Sequence, residues 1–334
     1  MQRRSSTQSP PLEATLHPDG LFSPALFLAM VRRRNDGIVD VVEGDHYRRL
    51  LDYHGRPLLL TASAVSAPPG TMALDGQDPR GTDDPNPAPS QTLLLQVQRI
   101  GDVPPGADDL SFAATALTRI ATLDRSPAPF YDHVAADPVL GPLTRRYRGM
   151  RPLGSPSIFE MLIVAILGQQ ISMIAANAIK RRMVERLGLI ADFDGVTYRA
   201  FPSPESLAEA SQEDLLTLAF SHRKAEYARD LARQVAGGDL DLEALRGQPH
   251  QRILEQLVAL RGIGHWTAEY VLLRGYGYPD ALPAGDAGLR RQIARLYGLT
   301  TPPTEAEIIA RGEGWRPYRS WATLYLWNAD SLPQ

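Results

Sequence analysis

One carboxylate and one glycine hairpin are the residues of this chain whose types and spacing could do chemistry together. The hairpin is Leu260-Arg261-Gly262-Ile263-Gly264-His265-Trp266-Thr267-Ala268, and the acid is Asp286, in Pro283-Ala284-Gly285-Asp286-Ala287-Gly288. Ile253, Leu254, Leu257, Val258 and Leu260 recur at helical spacing before the glycines, and Ala268, Val271 and Leu272 form an apolar face after them. Gly262 and Gly264 permit positive φ and the close approach of another backbone. Backbone N–H groups at the start of the following helix, near His265 or Thr267, are unpaired and favour an anion. An ordinary tight turn between packed helices accounts for the glycines equally well, because G-x-G alone is a weak signal. Asp286 likewise reads as the N-cap of a helix carrying Leu289, Ile293 and Leu296. The positive end of that helix favours a negative charge, so cap and charge stabiliser are compatible roles. Together, a phosphate grip and a nearby carboxylate suggest an enzyme that holds a DNA backbone while acting on a nucleotide.

The elements that must position these groups follow from pattern. Alternation from Leu12 to Leu16 predicts a strand, residues 24–33 a helix, and 37–42, 47–51 and 57–61 further strands. Residues 67–90 hold six prolines, three glycines and four aspartates with few large apolar groups, and read as a flexible loop. Thr92 to Val97 returns as a strand, followed by a helix over 108–122. Beyond Pro127-Ala128-Pro129 the composition turns helical. Phe159, Leu162, Ile163 and Ile166 start a stripe that continues to Leu187, shorter helices follow around Leu207 and Leu215, and another covers 223–236. The final helix, 317–328, is rich in aromatics, of which Trp321 and Tyr325 read as core. A chain of 334 residues, 43% hydrophobic and 22% charged, can bury a sizeable core in two or three subdomains. No apolar run approaches a bilayer span and no signal core follows Met1, so a cytoplasmic protein without membrane contact is expected. The absence of cysteine excludes disulfides, cysteine nucleophiles and cysteine-ligated zinc or iron–sulfur clusters. A net charge of −3 argues mildly against a nucleic-acid partner. Local clusters, Arg145, Arg146, Arg148 and Arg151 and then Lys180, Arg181, Arg182, Arg274, Arg290 and Arg291 along the helical part, read first as solvated faces, although an enzyme that grips only a few phosphates can be neutral overall.

The hairpin L-R-G-I-G-H-W-T-A, the acid in P-A-G-D-A-G-L-R-R and the upstream A-I-L-G-Q-Q-I-S together resemble the helix-hairpin-helix DNA glycosylase superfamily. The likeness is to its 3-methyladenine DNA glycosylase II (AlkA-type) branch, strongest over residues 130–330. With the pattern, which gives a polar, disordered tail (1–10) and an N-terminal small antiparallel β-sheet with helices (11–125), the resemblance implies an α+β fold. Two mainly α-helical subdomains follow, 158–278 with the hairpin and 126–157 plus 279–332, with the active-site cleft between them. It implies Asp286 as the catalytic acid that stabilises positive charge on the sugar, and Trp266, Tyr270 and Trp327 as an aromatic base pocket suited to cationic alkylated purines. Gln170 takes the place of the residue that fills the gap left by a flipped base, where the branch prototype is apolar, while Gln169 more simply satisfies backbone at the helix junction. Gly262, Gly264, His265, Thr267 and Arg290 fall at DNA-contact positions. Arg274 could also reach phosphate, and it or Arg290 could equally cap a helix or pair with Glu269 or Asp280. Bifunctional relatives carry lysine where this chain has Trp266, so water rather than a side chain is the expected nucleophile. No cofactor is required on this reading, although the hairpin can hold a monovalent cation (Na or K) through the backbone of Leu260 and Ile263. The expected partner is double-stranded DNA containing damaged bases, taken from the nucleoid by a monomer. The alternatives are excision of deaminated or oxidised bases on the same scaffold, or a non-catalytic module that only binds lesions.

Overall fold

The computed structural model of the protein describes residues 10–34, 37–65, 92–99 and 104–329. The expected tail, apart from Pro10, the expected loop 67–90 and residues 330–332 lie outside these. The chain begins with β1 (Leu12–Leu16), α1 (Pro24–Arg34), β2 (Asp40–Glu43), β3 (His46–Tyr53), β4 (Arg56–Val65), β5 (Thr92–Arg99) and α2 (Ala107–Ala121). The strands form one antiparallel sheet in the order β1-β5-β4-β3-β2. Apolar residues at alternate positions, Leu58 and Leu60 on β4 and Leu93, Leu95 and Val97 on β5, bury one face of the sheet beside Ala113, Leu117 and Ile120 of α2.

The rest is mainly helical. It runs α3 (Ala128–Val134), α4 (Leu140–Arg146), α5 (Ile158–Gly168), α6 (Met173–Leu187), α7 (Pro204–Glu209), α8 (Gln212–Thr217) and α9 (His222–Ala236). Then come α10 (His250–Val258), α11 (His265–Arg274), α12 (Ala287–Leu296), α13 (Glu305–Gly312) and α14 (Arg319–Asn328). A hydroxyl or carboxylate opens most of these: Ser157, Ser172, Ser203, Ser211, Ser221, Asp286 and Thr304 each accept a backbone N–H three residues on. Such caps satisfy an otherwise orphaned donor and fix where a helix starts.

Two expectations are corrected. The stripe from Phe159 to Leu187 is not one helix: α5 ends at Gly168, Gln170 takes φ of 57°, and Ser172 caps α6. A two-stranded hairpin, β6 (Ile190–Phe193) and β7 (Val196–Arg199), lies where no strand was expected. Its turn is Asp194-Gly195, both at positive φ (49° and 80°), the geometry that matches the twist of a two-residue hairpin.

Two large apolar clusters follow. One joins the sheet, α1 and α2 to α3, α4, α12 and α14, so the N-terminal sheet shares its core with residues from both flanks of the central helices. The other is built from α5 to α11, with Ile38 and Val39 reaching into it. Trp321 and Tyr325 are buried in the first, as expected. Arg151 departs from the expected surface cluster. It is fully buried and donates to the carbonyls of Asp19, Gly20, Leu21 and Thr122, with burial pulling its pKa down to about 10. Among the described residues no helix is long and apolar enough to cross a membrane.

Candidate active site

The hairpin is held from outside as well as by its own turns. Gly262 has φ of 84°, and a Cβ there would stand 2.2 Å from the Tyr227 ring of α9, so only glycine fits that contact. Ile263 is buried beneath the turn, with its N–H bonded to the Leu260 carbonyl at 3.1 Å. Gly264 has ordinary extended backbone and caps α11, and a Cβ built on it meets nothing within 4 Å. Beyond it the N–H groups of His265, Trp266 and Thr267 have no partner among the described residues, and His265 is exposed. Gln169, at the end of α5, donates through Nε2 to the Gly262 carbonyl (2.9 Å) and to Thr267 Oγ1 (3.2 Å). The backbone-satisfying role expected of Gln169 is therefore what the structure has. Thr267 needs correction: its side chain is buried and turned to Gln169, leaving only its backbone N–H at the helix end.

Asp286 caps α12. Its Oδ1 accepts from Leu289 N (2.6 Å) and from Trp327 Nε1 of α14 (2.9 Å). No bond to Oδ2 is formed among the described residues. The side chain is half-buried and lines a cavity of about 790 Å³. Gly288 leaves it room, since a Cβ there would lie 3.0 Å from Asp286 Oδ1.

Trp266, Tyr270 and Trp327 line the same cavity. Trp266 and Tyr270 stack with centroids 5.6 Å apart and planes at 24°, and Trp327 stands 6.1 Å from Tyr270 at 56°. Burial pushes the Tyr270 hydroxyl up, opposed by the charge of Arg34 and reinforced by Asp286. The sequence-predicted acid and aromatic residues are thus brought together, from three helices.

The basic residues divide. Arg274 lies 5.8 Å over the Tyr270 ring and lines the cavity. It pairs with neither expected acid: Glu269 accepts from Leu282 N and contacts His250, and Asp280 is taken by Arg316 and Arg319. Arg290 is half-buried and gives Nε to the Pro303 carbonyl at 2.7 Å. Gln170 is exposed at the α5–α6 junction, beside exposed Ile171, Met173 and Ile174.

Sequence reasoning missed the far side of the cavity. Arg33 and Arg34 of α1, Asp40 of β2 and Arg49 of β3 line it together with Glu160 of α5. Arg33 also holds the chain beside Trp327, donating to its carbonyl (3.1 Å) and to Asn328 Oδ1 (2.6 Å). No local spacing marks these residues, because the fold alone brings them to the motif helices.

A family model described as HhH-GPD superfamily base excision DNA repair protein matches residues 163–317. The DNA-3-methyladenine glycosylase of Bacillus subtilis is 37% identical over 206 residues, 62% of this chain and 68% of that protein. The solved 3-methyladenine DNA glycosylase from Archaeoglobus fulgidus superposes with a TM-score of 0.76 at 25% identity, covering 95% of this chain and 98% of its own. The Schizosaccharomyces pombe 3-methyladenine DNA glycosylase, solved in complex with abasic DNA, gives a TM-score of 0.52 at 27% identity over 61% of this chain and 97% of its own. The hairpin, the capping acid and the matched span fall in one place. This chain belongs to the HhH-GPD superfamily of base excision DNA repair proteins.

Proposed function

We propose that the protein is a monofunctional DNA glycosylase that removes alkylated bases, chiefly N3- and N7-methylpurines, from duplex DNA. One observation carries the reading: Asp286, held at Oδ1 by two N–H donors, shares a cavity with three aromatic rings. The open α11 N-terminus after Gly264 receives a DNA phosphate, and the exposed His265 and the Arg290 guanidinium of α12 are further DNA contacts. The damaged nucleotide rotates out of the stack, and Gln170 fills the gap it leaves. The rings of Trp266, Tyr270 and Trp327 attract the positively charged methylated base. As the bond between C1′ and the base nitrogen breaks, its electron pair leaves with the base, and Asp286 stabilises the cationic sugar. Water then forms the C1′–O bond and passes its proton to Asp286 or to solvent. On this reading the indole at position 266, where bifunctional relatives carry lysine, leaves water as the nucleophile at C1′.

The carbonyls of Leu260 and Ile263 would supply hard oxygen ligands to a monovalent cation that braces the turn. The Leu260 oxygen already accepts from Ile263 N and keeps a second lone pair, whereas the Gly262 oxygen is engaged by Gln169. The protein acts as a monomer on nucleoid DNA in the cytoplasm.

The test incubates the purified full chain with methylated duplex DNA and measures free base and abasic sites. Release of 3-methyladenine or 7-methylguanine is expected, and no release of any alkylated base overturns the reading. Borohydride added during turnover should trap no protein–DNA adduct. A strong adduct would show a covalent lyase step.

A further inference from the structure

The cavity that holds Asp286 has a wall the motif helices do not supply. Arg34, the last residue of α1, lines it with Asp40 and Arg49. The two deeper groups are engaged with each other. Asp40 Oδ1 accepts from Tyr47 Oη and Arg49 Nη1, both at 2.6 Å, and Arg49 gives Nη2 to Glu160 at 2.5 Å.

Arg34 is only half used. Its Nη2 donates to the Leu153 carbonyl at 3.1 Å, and Nε and Nη1 have no hydrogen-bond partner among the described residues. Its own carbonyl accepts from Asn177 Nδ2 of α6 at 2.7 Å, so the end of α1 is fixed while the guanidinium keeps donors free. Arg34 lines one cavity with Trp266, Tyr270 and Trp327 of the aromatic slot and with Asp40 and Arg49 of the ionic cluster.

A guanidinium pairs in bidentate fashion with two adjacent acceptors, as on the N7/O6 edge of a purine. It cannot do so with a base methylated at N7, and its charge opposes a cationic ring. Aromatic faces have the reverse preference. We propose that Arg34 is a specificity-determining residue, through which the N-terminal part of the chain reads the acceptor edge of a neutral flipped purine and weighs against a cationic one. This rests on the glycosylase reading above.

The full chain and its Arg34→Met and Arg34→Lys variants are compared on duplexes carrying hypoxanthine (neutral, N7 and O6 free) or 7-methylguanine (cationic). Single-turnover excision rates are measured, and folding is checked by thermal melting. The ratio of hypoxanthine to 7-methylguanine excision should fall about tenfold in Arg34→Met, the size of one lost bidentate contact. It should fall less in Arg34→Lys, which keeps the charge and loses the fork. If the methionine variant does not fold, the lysine variant carries the test. An unchanged ratio overturns the proposal. So does equal loss on both substrates, which would make Arg34 a phosphate contact, and so does a wild-type chain that releases 7-methylguanine and no hypoxanthine. A wild-type chain that releases neither base overturns the proposal, and it sinks the glycosylase reading as well when 3-methyladenine also stays in the duplex.

Discussion

Asp286 makes two contacts through one oxygen and leaves the other spare. Leu289 N and Trp327 Nε1 both bind Oδ1, fixing the carboxylate plane while Oδ2 keeps its acceptor capacity. The substitution Asp286→Asn separates the cap from the proposed charge stabilisation, because asparagine caps a helix about as well as aspartate but carries no charge. Excision by that variant should fall by about 10²–10³-fold, the cost of losing one well-placed transition-state stabiliser, with an unchanged melting temperature and retained lesion-DNA binding. Full activity with the same melting temperature would reduce Asp286 to a cap. The acid and the aromatic residues were legible in the sequence, since Asp286 lies 20 residues after Trp266 in a shared motif order. The bond from Trp327 was not, because nothing in the spacing of a final helix says which ring turns its N–H toward α12.

At the scale of elements, the α5–α6 junction and the hairpin form one unit through Gln169. Gln169→Leu would leave the Gly262 carbonyl and the Thr267 hydroxyl without their donor, at about 1–3 kcal/mol. The expected result is a melting temperature lower by several degrees and DNA affinity weakened several-fold, read by thermal melting and fluorescence anisotropy. Unchanged binding would show that the hairpin keeps its shape alone. The junction is also where pattern reading failed. Apolar residues continue at helical spacing across Gly168 to Ser172, so periodicity runs through a break that one positive φ at Gln170 and one serine cap create. The β6–β7 hairpin was missed for a different reason. Its Asp194-Gly195 turn was visible, but strands of four residues are too short to outweigh a helical context. The five strands of the sheet were legible in outline because β-sheet alternation survives even where the ends shift by a few residues.

For the whole molecule, the ion cluster beneath the cavity decides how the two cores respond to acid. Burial pushes the Asp40 carboxyl up, but Arg49, Lys180, the Tyr47 hydroxyl and Arg34 override this and hold it well below the usual carboxylate range. A carboxylate depressed on folding stabilises fully above its unfolded value of about 3.9 and loses that contribution as pH falls below it. Stability from this group should therefore be constant from pH 7 to about pH 5 and decline below about pH 4. Asp40→Asn should cost about 3–5 kcal/mol at neutral pH, since Arg49 keeps only one of its two acids, and should flatten the acid limb. Urea denaturation at pH 7 and pH 3 checks both, and a variant with the wild-type acid limb would dismiss the cluster as the cause. The same cavity is walled by α1, β2, β3, α5, α6, α11, α12 and α14, segments spread over nearly 300 residues of chain. Evolution can therefore reshape what enters the pocket by changing the sheet or α1 while hairpin and acid stand still. Two family members with identical motifs can have diverged in diet, and a screen for altered lesion choice should sample codons 30–49 as densely as those around Asp286.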